Sequence, residues 1–438
     1  MPESEGDQRP DYVEWAASDR PIPRLIIRPL TEFLDTESAG SVLLLFATIG
    51  ALVWANSPWG QSYEQVWNTR LSIQAGGYEL ANDLRHWINE ALMSVFFFVV
   101  GLELKRELLD GELRDPKRAA LPAAAAIGGM LVPALIYLLF NPSGEAATGW
   151  GIPMATDIAF VLGILALVAN VPSGIKTFLL TLAIVDDIGA IVVIALFYSA
   201  GLAWKWLVLA AILLALIFIV RGLNQRWRHL ERLKVAWRLA YGMLGAGVWL
   251  AVFESGVHAT IAGVALAFCV RADSTSDEDL APLEEDLPQV DEELSPAERL
   301  EHVLHPWSSF GIIPLFALAN AGVAISVAAL SDIPTSTVTL GVLFGLVAGK
   351  IVGITIFTVA AVRLNIGLLP MGATWRQIVG AAALGGVGFT VSLFITGLAF
   401  DQSTLETESK LGVMIGSVIA ATIGALLLRN TARRSSPL

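Results

Sequence analysis

The chain has 438 residues, of which 55% are hydrophobic and 16% charged, and its mean hydropathy is +0.64. This composition is too apolar for a water-soluble enzyme, and a net charge of −12 excludes a basic nucleic-acid-binding protein. The single cysteine, Cys269, excludes an internal disulfide.

The acidity is confined to two segments. Residues 1–38 carry a net charge of −5 and lack the apolar core and cleavage site of a secretory signal. Residues 271–305 carry −10, with prolines and no aromatic residue, which predicts a loosely ordered loop. We therefore expect an acidic tail (1–38), one membrane domain (39–430) interrupted by the loop 271–305, and a short C-terminal tail (431–438).

The apolar body contains about twelve segments that approach the roughly 20 residues needed to cross a bilayer as a helix. They lie near 40–56, 87–104, 119–140, 152–169, 174–199, 203–221, 237–254, 257–270, 306–329, 337–362, 375–399 and 409–429. If the N-terminus is cytoplasmic, 23 lysines and arginines fall on the inner side and four on the outer side. This asymmetry predicts that both termini are cytoplasmic.

Residues 68–82 lie in the first outer loop. Two short alternating runs around Gly76 and Gly77 predict a β-hairpin. A two-stranded hairpin alone is marginally stable in water, so a partner surface is one interpretation and an ordinary surface loop is the other.

Four ionisable side chains fall inside predicted spans, where each suggests a functional site. They are Asp157 in the fourth span, Asp186 and Asp187 in the fifth, and Lys350 in the tenth. Adjacent residues of a helix point about 100° apart, so Asp186 and Asp187 cannot share one ion pair equally. We expect at least one carboxylate to face a cavity, where a small cation and a proton compete for its oxygens. An ion pair with Lys350 that only holds helices together is the alternative.

The fourth and eleventh predicted spans both look interrupted. Pro153 precedes Thr156 and Asp157 in the fourth, and three glycines cluster at 385–388 in the eleventh. Interrupted backbone at membrane depth must be buried in protein or line a cavity. Such half-helices end in partial charges, which Asp157 would neutralise at N-termini and Lys350 at C-termini. Because the breaks occupy the middle of the trios 3-4-5 and 10-11-12, they predict inverted repeats with a site at their interface.

From about residue 28 to residue 430, the chain closely resembles the NhaA-type sodium/proton antiporters. The rule that paired interrupted helices indicate inverted repeats was itself partly drawn from this family. The matching motifs, in chain order, are WINEALMSVFFFVVGLELKREL, PAAAAIGGMLVPALIY, GWGIPMATDIAF, LAIVDDIGAI, SGVHATIAGV, LEHVLHPW, PLFALANAG and GVGFTVSLFITGLAF.

The resemblance implies an all-α inner-membrane protein of twelve helices, without a cofactor, in which helices 4 and 11 are broken and cross. It implies that Asp187 is the principal sodium and proton site with Asp186 as its partner. Asp157 and Thr156 would lie at the crossing opposite Lys350. It also implies exchange of more than one inward proton per outward Na+ or Li+, and a homodimer formed through the outer hairpin in the lipid bilayer.

Members of the family are activated at alkaline pH, and the resemblance places pH sensing near the cytoplasmic funnel. The matching candidates are Glu103, Glu107, His258, Glu301, His302 and His305. Glu103 and Glu107 are four residues apart and share a helix face. For this pair, charges at a helix end paired with Lys105 or Arg106 are the alternative, and His258 is equally compatible with a purely structural role.

Three other functions fit the sequence less well. An intramembrane aspartyl protease would need a GxGD signature, and a prenyl-transferase-like enzyme would need two aspartate-rich motifs, whereas the chain has one adjacent pair. A sodium-coupled symporter of organic anions would keep the broken helices but would need a larger cavity. Sodium/proton antiport is the function we expect.

Overall fold

The structure is a computed structural model that describes residues 39–75, 78–168, 171–199, 201–227, 234–272, 294–325, 331, 333–370, 372–400 and 404–432. The predicted tail 1–38, most of the acidic segment 271–305 and residues 433–438 of the predicted C-terminal tail lie outside these ranges.

Helices make up most of the described chain. In order they are α1 (Ala39–Ala55), α2 (Gly60–Trp67), α3 (Leu84–Leu109), α4 (Pro116–Phe140), α5 (Ile158–Leu167), α6 (Ser173–Phe197), α7 (Trp204–Trp227), α8 (Lys234–Glu254), α9 (Thr260–Cys269), α10 (Pro296–Trp307), α11 (Ile313–Asn320), α12 (Thr337–Arg363), α13 (Trp375–Leu384), α14 (Phe389–Ala399) and α15 (Thr404–Ala432). Two 3-10 helices, Glu112–Arg114 and Glu145–Met154, precede α4 and α5. Single π-helical turns lie within α3 (Ile88–Leu92), between α10 and α11 (Ser308–Ile312) and within α12 (Gly345–Gly349).

The helices are those of a multi-pass membrane protein. Among the described residues, six are long and apolar enough to cross a bilayer: α3, α4, α6, α7, α12 and α15. The count rises to nine if each of three sharply bent pairs is taken as one span. These pairs bend by 115° between α1 and α2, 42° between the 3-10 helix 145–154 and α5, and 46° between α13 and α14.

The predicted β-hairpin is confirmed. Strand β1 (Arg70–Ala75) pairs antiparallel with β2 (Tyr78–Asp83), so that Arg70 lies opposite Asp83 and Ala75 opposite Tyr78. The turn at residues 76–77 lies outside the described chain. At the end of β2, the Asp83 carboxylate accepts the His86 backbone N–H at 2.7 Å and so caps the start of α3.

The prediction of a loop throughout 271–305 was wrong at its C-terminal end, where residues 296–305 belong to α10. Ser295 and Glu298 form a reciprocal capping box, in which each side chain accepts a backbone N–H of the other residue. This local device starts a helix within an otherwise acidic, proline-containing sequence.

Helices α4 and α12 pack at unusually close range. A Cβ atom added to Gly353 would lie 2.1 Å from the backbone oxygen of Gly128, and one added to Gly128 would lie 2.4 Å from that of Gly353. Only hydrogen at both Cα atoms allows this approach. The packing fixes the middle of α12, so that Lys350, one turn before Gly353, is completely buried.

Both predicted helix interruptions are present. The 3-10 helix ends at Met154, residues 155–157 are not helical, and α5 starts at Ile158. In the second interruption α13 ends at Leu384 and α14 begins at Phe389. Residues 151–157 and 384–390, which include both breaks, are buried, in accordance with the requirement that non-helical backbone be enclosed by protein.

Candidate ion-binding site

The two interruptions touch each other in the protein interior. The backbone N–H of Asp157 donates to the oxygen of Val387 at 2.6 Å, and the Thr156 hydroxyl lies 2.8 Å from the oxygen of Gly385. Backbone groups left free by one break therefore find partners at the other. The candidate ion-binding site surrounds this contact.

Asp157 lies at the N-termini of two half-helices at once. Its carboxylate caps α5 by accepting the Phe160 N–H at 3.1 Å, and it accepts the N–H and hydroxyl of Thr390, in the first turn of α14, at 2.8 and 2.6 Å. Both helix ends carry partial positive charge, so a single buried carboxylate stabilises both. Asp157 thus caps two half-helices, and Thr390 is a partner that the sequence reasoning did not identify. Compensation of the helix charges by Asp157 stays a prediction.

Lys350 pairs with Asp186. Its ammonium nitrogen lies 2.5 Å from Asp186 Oδ2 and 3.1 Å from the hydroxyl oxygen of Thr156. Lys350 is 0% exposed and Asp186 1%. A desolvated ammonium is far better compensated by a full carboxylate charge than by partial charges, which explains this choice of partner.

The expectation that Lys350 neutralises helix C-termini stays a prediction, because its direct contacts are with Asp186 and Thr156. The hydrogen bond to the end of α13, at Gly385, comes from the Thr156 hydroxyl rather than from the ammonium group. Thr156 lies within hydrogen-bond distance of Asp186 Oδ2 as well, at 2.6 Å. A hydroxyl has only one proton to donate, so Thr156 donates either to the Gly385 oxygen or to Asp186 Oδ2. It thereby lies between the ion pair and the end of α13.

Asp187 faces a different direction from Asp186. It lines a small cavity whose other walls come from α3, α5 and α6: Val100, Glu103, Leu104, Ile158, Ile184, Ile188 and Ile191. Asp187 is 8% exposed, and its Oδ1 accepts no hydrogen bond from the described residues. Oδ1 of Asp186 is likewise buried without a hydrogen-bond donor in the described part of the chain.

This arrangement separates two tasks. Asp186 is compensated by Lys350, whereas the Asp187 carboxylate faces a cavity that is lined by apolar side chains and Glu103, and its Oδ1 has no hydrogen-bond partner among the described residues. A buried carboxylate in that position is stabilised by taking up either a proton or a small cation with a preference for oxygen ligands. Both occupants use the same oxygens, so they exclude each other.

Comparison with known proteins identifies the family. The family model described as Na+/H+ antiporter 1 matches residues 31–428. The chain belongs to this Na+/H+ antiporter family.

Individual family members are similar over almost their whole length. The chain is 42% identical to the Na(+)/H(+) antiporter NhaA 2 of Sorangium cellulosum, over 95% of this chain and 93% of that protein. It is 47% identical to the NhaA antiporter of a Shewanella species (strain MR-7), over 91% and 96% of the two chains. With the NhaA antiporter of Acidithiobacillus ferrooxidans the identity is 44%, over 93% and 99%.

Some of the residues expected from the sequence to sense pH lie together at the C-terminal end of α3. Arg106 pairs with Glu301 of α10 at 3.2 Å, and Glu107 accepts the backbone N–H of Glu112 at 3.1 Å. Burial raises the pKa of Glu301 from 4.5 to about 7, although the nearby Arg106 opposes the rise. His302 and His305, on the same helix, are exposed. Glu103 belongs both to this region and to the Asp187 cavity.

His258 does not belong to this cluster, contrary to its grouping in the sequence analysis. Its Nδ1 lies 3.2 Å from Oε1 of Glu90, which is 13 residues before Glu103 in α3 and therefore roughly 20 Å away along the helix. The sequence reasoning overlooked Glu90, although an ionisable residue within a predicted span satisfies the criterion that selected the aspartates.

Proposed function

We propose that this protein is a secondary transporter that exports Na+ in exchange for protons, with Asp187 as the principal binding group. The observation that carries the proposal is the buried Asp187 carboxylate, which lines a cavity beside the compensated Lys350–Asp186 pair at the contact of two interrupted helices. Membership of a Na+/H+ antiporter family supports the same conclusion.

Exchange follows from competition at Asp187. Protonation neutralises the carboxylate and removes its attraction for Na+, while bound Na+ displaces the proton. The site therefore carries either ion, but not both, when it turns from one side of the membrane to the other. Asp186 acts as partner through its free Oδ1, and Li+, which also prefers oxygen ligands, is a second substrate.

Charge at the crossing is compensated by Asp157, Thr156 and Lys350. The Asp157 carboxylate offsets the positive N-termini of α5 and α14, and Lys350 offsets Asp186. More than one proton enters for each sodium ion that leaves, so that transport moves net charge and is driven by the proton-motive force.

In the membrane the chain forms twelve spans with cytoplasmic termini, in the inner membrane of a bacterium. To the nine apolar spans, counting bent pairs, this arrangement adds α8, α9 and a span that begins at the C-terminal end of α10 and includes α11, which leaves Glu301 on the cytoplasmic side. The trios centred on the interrupted spans 4 and 11 are inverted repeats. The excess of lysine and arginine in the assigned inner loops supports this orientation.

Two copies associate through the β-hairpin on the outer side. Leu71 and Ile73 of β1 are 48% and 55% exposed, so the strand presents apolar side chains that a second copy would cover. A lone hairpin gains stability from such a partner. Surrounding lipid covers the remaining apolar helix faces.

Activity is regulated by pH at the C-terminal end of α3. With a pKa of about 7, Glu301 is ionised at alkaline pH and then attracts Arg106 more strongly. Glu103 couples this ionisation of Glu301 to the ion-binding site, because Glu103 also lines the Asp187 cavity. Glu107, His302 and His305 are the other candidate groups of this cluster.

Sodium-dependent collapse of a preformed pH gradient in everted membrane vesicles tests the proposed function. Vesicles containing the protein should lose their gradient when Na+ or Li+ is added at alkaline pH, and vesicles from cells without it should not. A gradient that persists after Na+ addition, with the protein demonstrably in the membrane, would contradict antiport.

A further inference from the structure

The first half of the fourth span is an unusually long 3-10 helix. It covers ten residues, Glu145–Met154, and leads directly to Thr156 and Asp157 at the contact of the two interruptions. Stretches of more than three or four residues are uncommon in this form, because its hydrogen bonds have poorer geometry than those of an α-helix. Contacts from neighbouring helices therefore have to stabilise it.

One tyrosine side chain binds both ends of a single turn of this 3-10 helix. Tyr198, which directly follows α6, donates its hydroxyl to the Thr148 backbone oxygen at 2.7 Å, and the same hydroxyl accepts the Gly151 N–H at 3.1 Å. Thr148 and Gly151 are three residues apart, which is the spacing of the carbonyl and N–H groups that a 3-10 turn brings together. The phenol group is therefore placed to hold this particular turn.

The local sequence makes room for the phenol group and fixes its position. A Cβ atom added to Gly151 would lie 2.7 Å from the Tyr198 hydroxyl oxygen, so glycine allows the contact. Phe197, the last residue of α6, packs edge-on against Trp150 with ring centres 5.1 Å apart. The Tyr198 backbone N–H donates to the Ile194 oxygen of α6 at 3.2 Å. Two consecutive residues at the end of α6 thus contact two consecutive residues of the 3-10 helix.

The hydroxyl of Tyr198 competes with the α-helical form of this segment. In an α-helix, the Gly151 N–H would donate to the oxygen of Ala147, four residues earlier. Gly151 is buried, so its N–H needs a protein partner, and the phenol oxygen provides one. Without the hydroxyl, the Ala147 oxygen is the partner with the better helical geometry. Pro153 has no N–H and limits such a conversion to the residues before it.

A change of helical form would be felt at the ion-binding site. A 3-10 helix rises about 2.0 Å per residue and an α-helix about 1.5 Å, so residues 145–152 would shorten by about 4 Å on conversion. The far end of the segment is attached to α14, because the Ser392 hydroxyl donates to the Ile152 oxygen at 2.7 Å. Thr156 follows four residues later, and its hydroxyl lies 2.6 Å from Asp186 Oδ2. Shortening would therefore pull on Thr156 and on its contact with Asp186.

We infer that the Tyr198 hydroxyl holds the first half of the fourth span in the 3-10 form and thereby sets the position of Thr156 and Asp157 beside the bound ion. Tyr198 is a positioning residue, since it acts through the backbone that leads to these side chains. The inference rests on the proposed function for its bearing on sodium binding. It also means that α6, which bears Asp186 and Asp187, is attached to the fourth span both at the site and at its own C-terminal end.

Tyr198→Phe tests the inference, because it removes the hydroxyl and keeps the ring. Tyr137→Phe is the matched control: its hydroxyl donates to the Ala146 oxygen of the same 3-10 helix at 2.7 Å, and its loss leaves the Gly151 N–H with its partner. In vesicles, the Na+ concentration for half-maximal exchange should rise about five-fold in Tyr198→Phe, the factor that corresponds to one hydrogen bond, with little change in the maximal rate. Tyr137→Phe should match the wild type, as should Glu79→Gln on the exposed hairpin.

The backbone form can be measured independently of transport. Solid-state NMR of the protein in lipid distinguishes 3-10 from α-helical backbone by the 13C chemical shifts of Ala146 and Ala147. These shifts should move towards α-helical values in Tyr198→Phe and stay unchanged in Tyr137→Phe. Gly151→Ala, whose methyl group would displace the hydroxyl, should reproduce both effects of Tyr198→Phe.

Equal behaviour of Tyr198→Phe and Tyr137→Phe in either measurement would overturn the inference. Absence of sodium-dependent exchange in the wild type would instead reject the proposed function. In that case the chemical shifts would still decide whether Tyr198 maintains the 3-10 form.

Discussion

Lys350 lies against Asp186 and not against the adjacent Asp187. The ammonium nitrogen is 2.5 Å from Asp186 Oδ2, while Asp187 lines a cavity formed with α3 and α5. The geometry of a helix separates neighbouring side chains by about 100°, so one aspartate can be compensated within the protein while the next stays available to an ion. Substitutions that treat the two aspartates differently therefore test the site.

Removing Lys350 should destabilise the protein more than removing the whole ion pair. Lys350→Met leaves the Asp186 carboxylate buried without its cation, at a cost of about 3–5 kcal/mol. The double variant Lys350→Met/Asp186→Asn should recover most of this loss. Unfolding temperatures in detergent measure the effect, and equal losses in the single and double variants would show that the pair is not coupled as the geometry indicates.

Asp157→Ala should cost roughly 3 kcal/mol, because it removes a cap from two helices and leaves buried donors of Phe160 and Thr390 unpaired. Asp115 is a matched control, since it caps α4 at a half-exposed position by accepting the Lys117 N–H. Asp115→Ala should cost about 1 kcal/mol. Similar losses in the two variants would mean that Asp157 serves only one helix.

Gly353→Ala should prevent α4 and α12 from packing as observed, since the new methyl group would lie 2.1 Å from the Gly128 oxygen. We expect a lower unfolding temperature and loss of exchange, because Lys350 would be displaced with the helix. Gly242 in α8 has open space around its Cα, and Gly242→Ala should be neutral or slightly stabilising. A Gly353→Ala protein with normal stability would contradict the close-packing account.

Glu301 should make stability depend on pH. Its pKa is about 7 in the folded protein against an ordinary value of 4.5, so the folded state binds the proton more tightly than the unfolded state. Stability should therefore fall as pH rises from about 4.5 through 7, by roughly 3 kcal/mol at most. Glu301→Gln should remove this dependence, whereas Glu112→Gln, at a partly exposed position, should retain it. Unfolding temperatures at pH 5 and pH 8 compare the three proteins.

Local sequence signals predicted several structural features. Pro153 and the glycines at 385–388 marked the two interruptions, and Gly76–Gly77 marked the hairpin, because these residues restrict or free the backbone wherever they occur. The start of α10 within the acidic segment depended on a capping box whose signal, Ser295 followed three residues later by Glu298, was masked by the surrounding charge.

Tertiary contacts were harder to predict. Sequence spacing showed that Asp186 and Asp187 diverge but not which of them meets Lys350, since that depends on the packing of α4 against α12. His258 was assigned to the wrong end of α3 for the same reason, as no local pattern reveals that it lies beside Glu90. The hydrogen bond between Thr390 and Asp157 likewise could not be predicted from the sequence, because it depends on the tertiary contact between the two interruptions.

Proton release on sodium binding tests the central claim most directly. Purified protein in weakly buffered detergent solution at alkaline pH should release protons when Na+ is added, because the ion displaces the proton from Asp187. Asp187→Asn should release none, and Glu79→Gln should match the wild type. Proton release from Asp187→Asn equal to that of the wild type would contradict the assignment of Asp187 as the shared site.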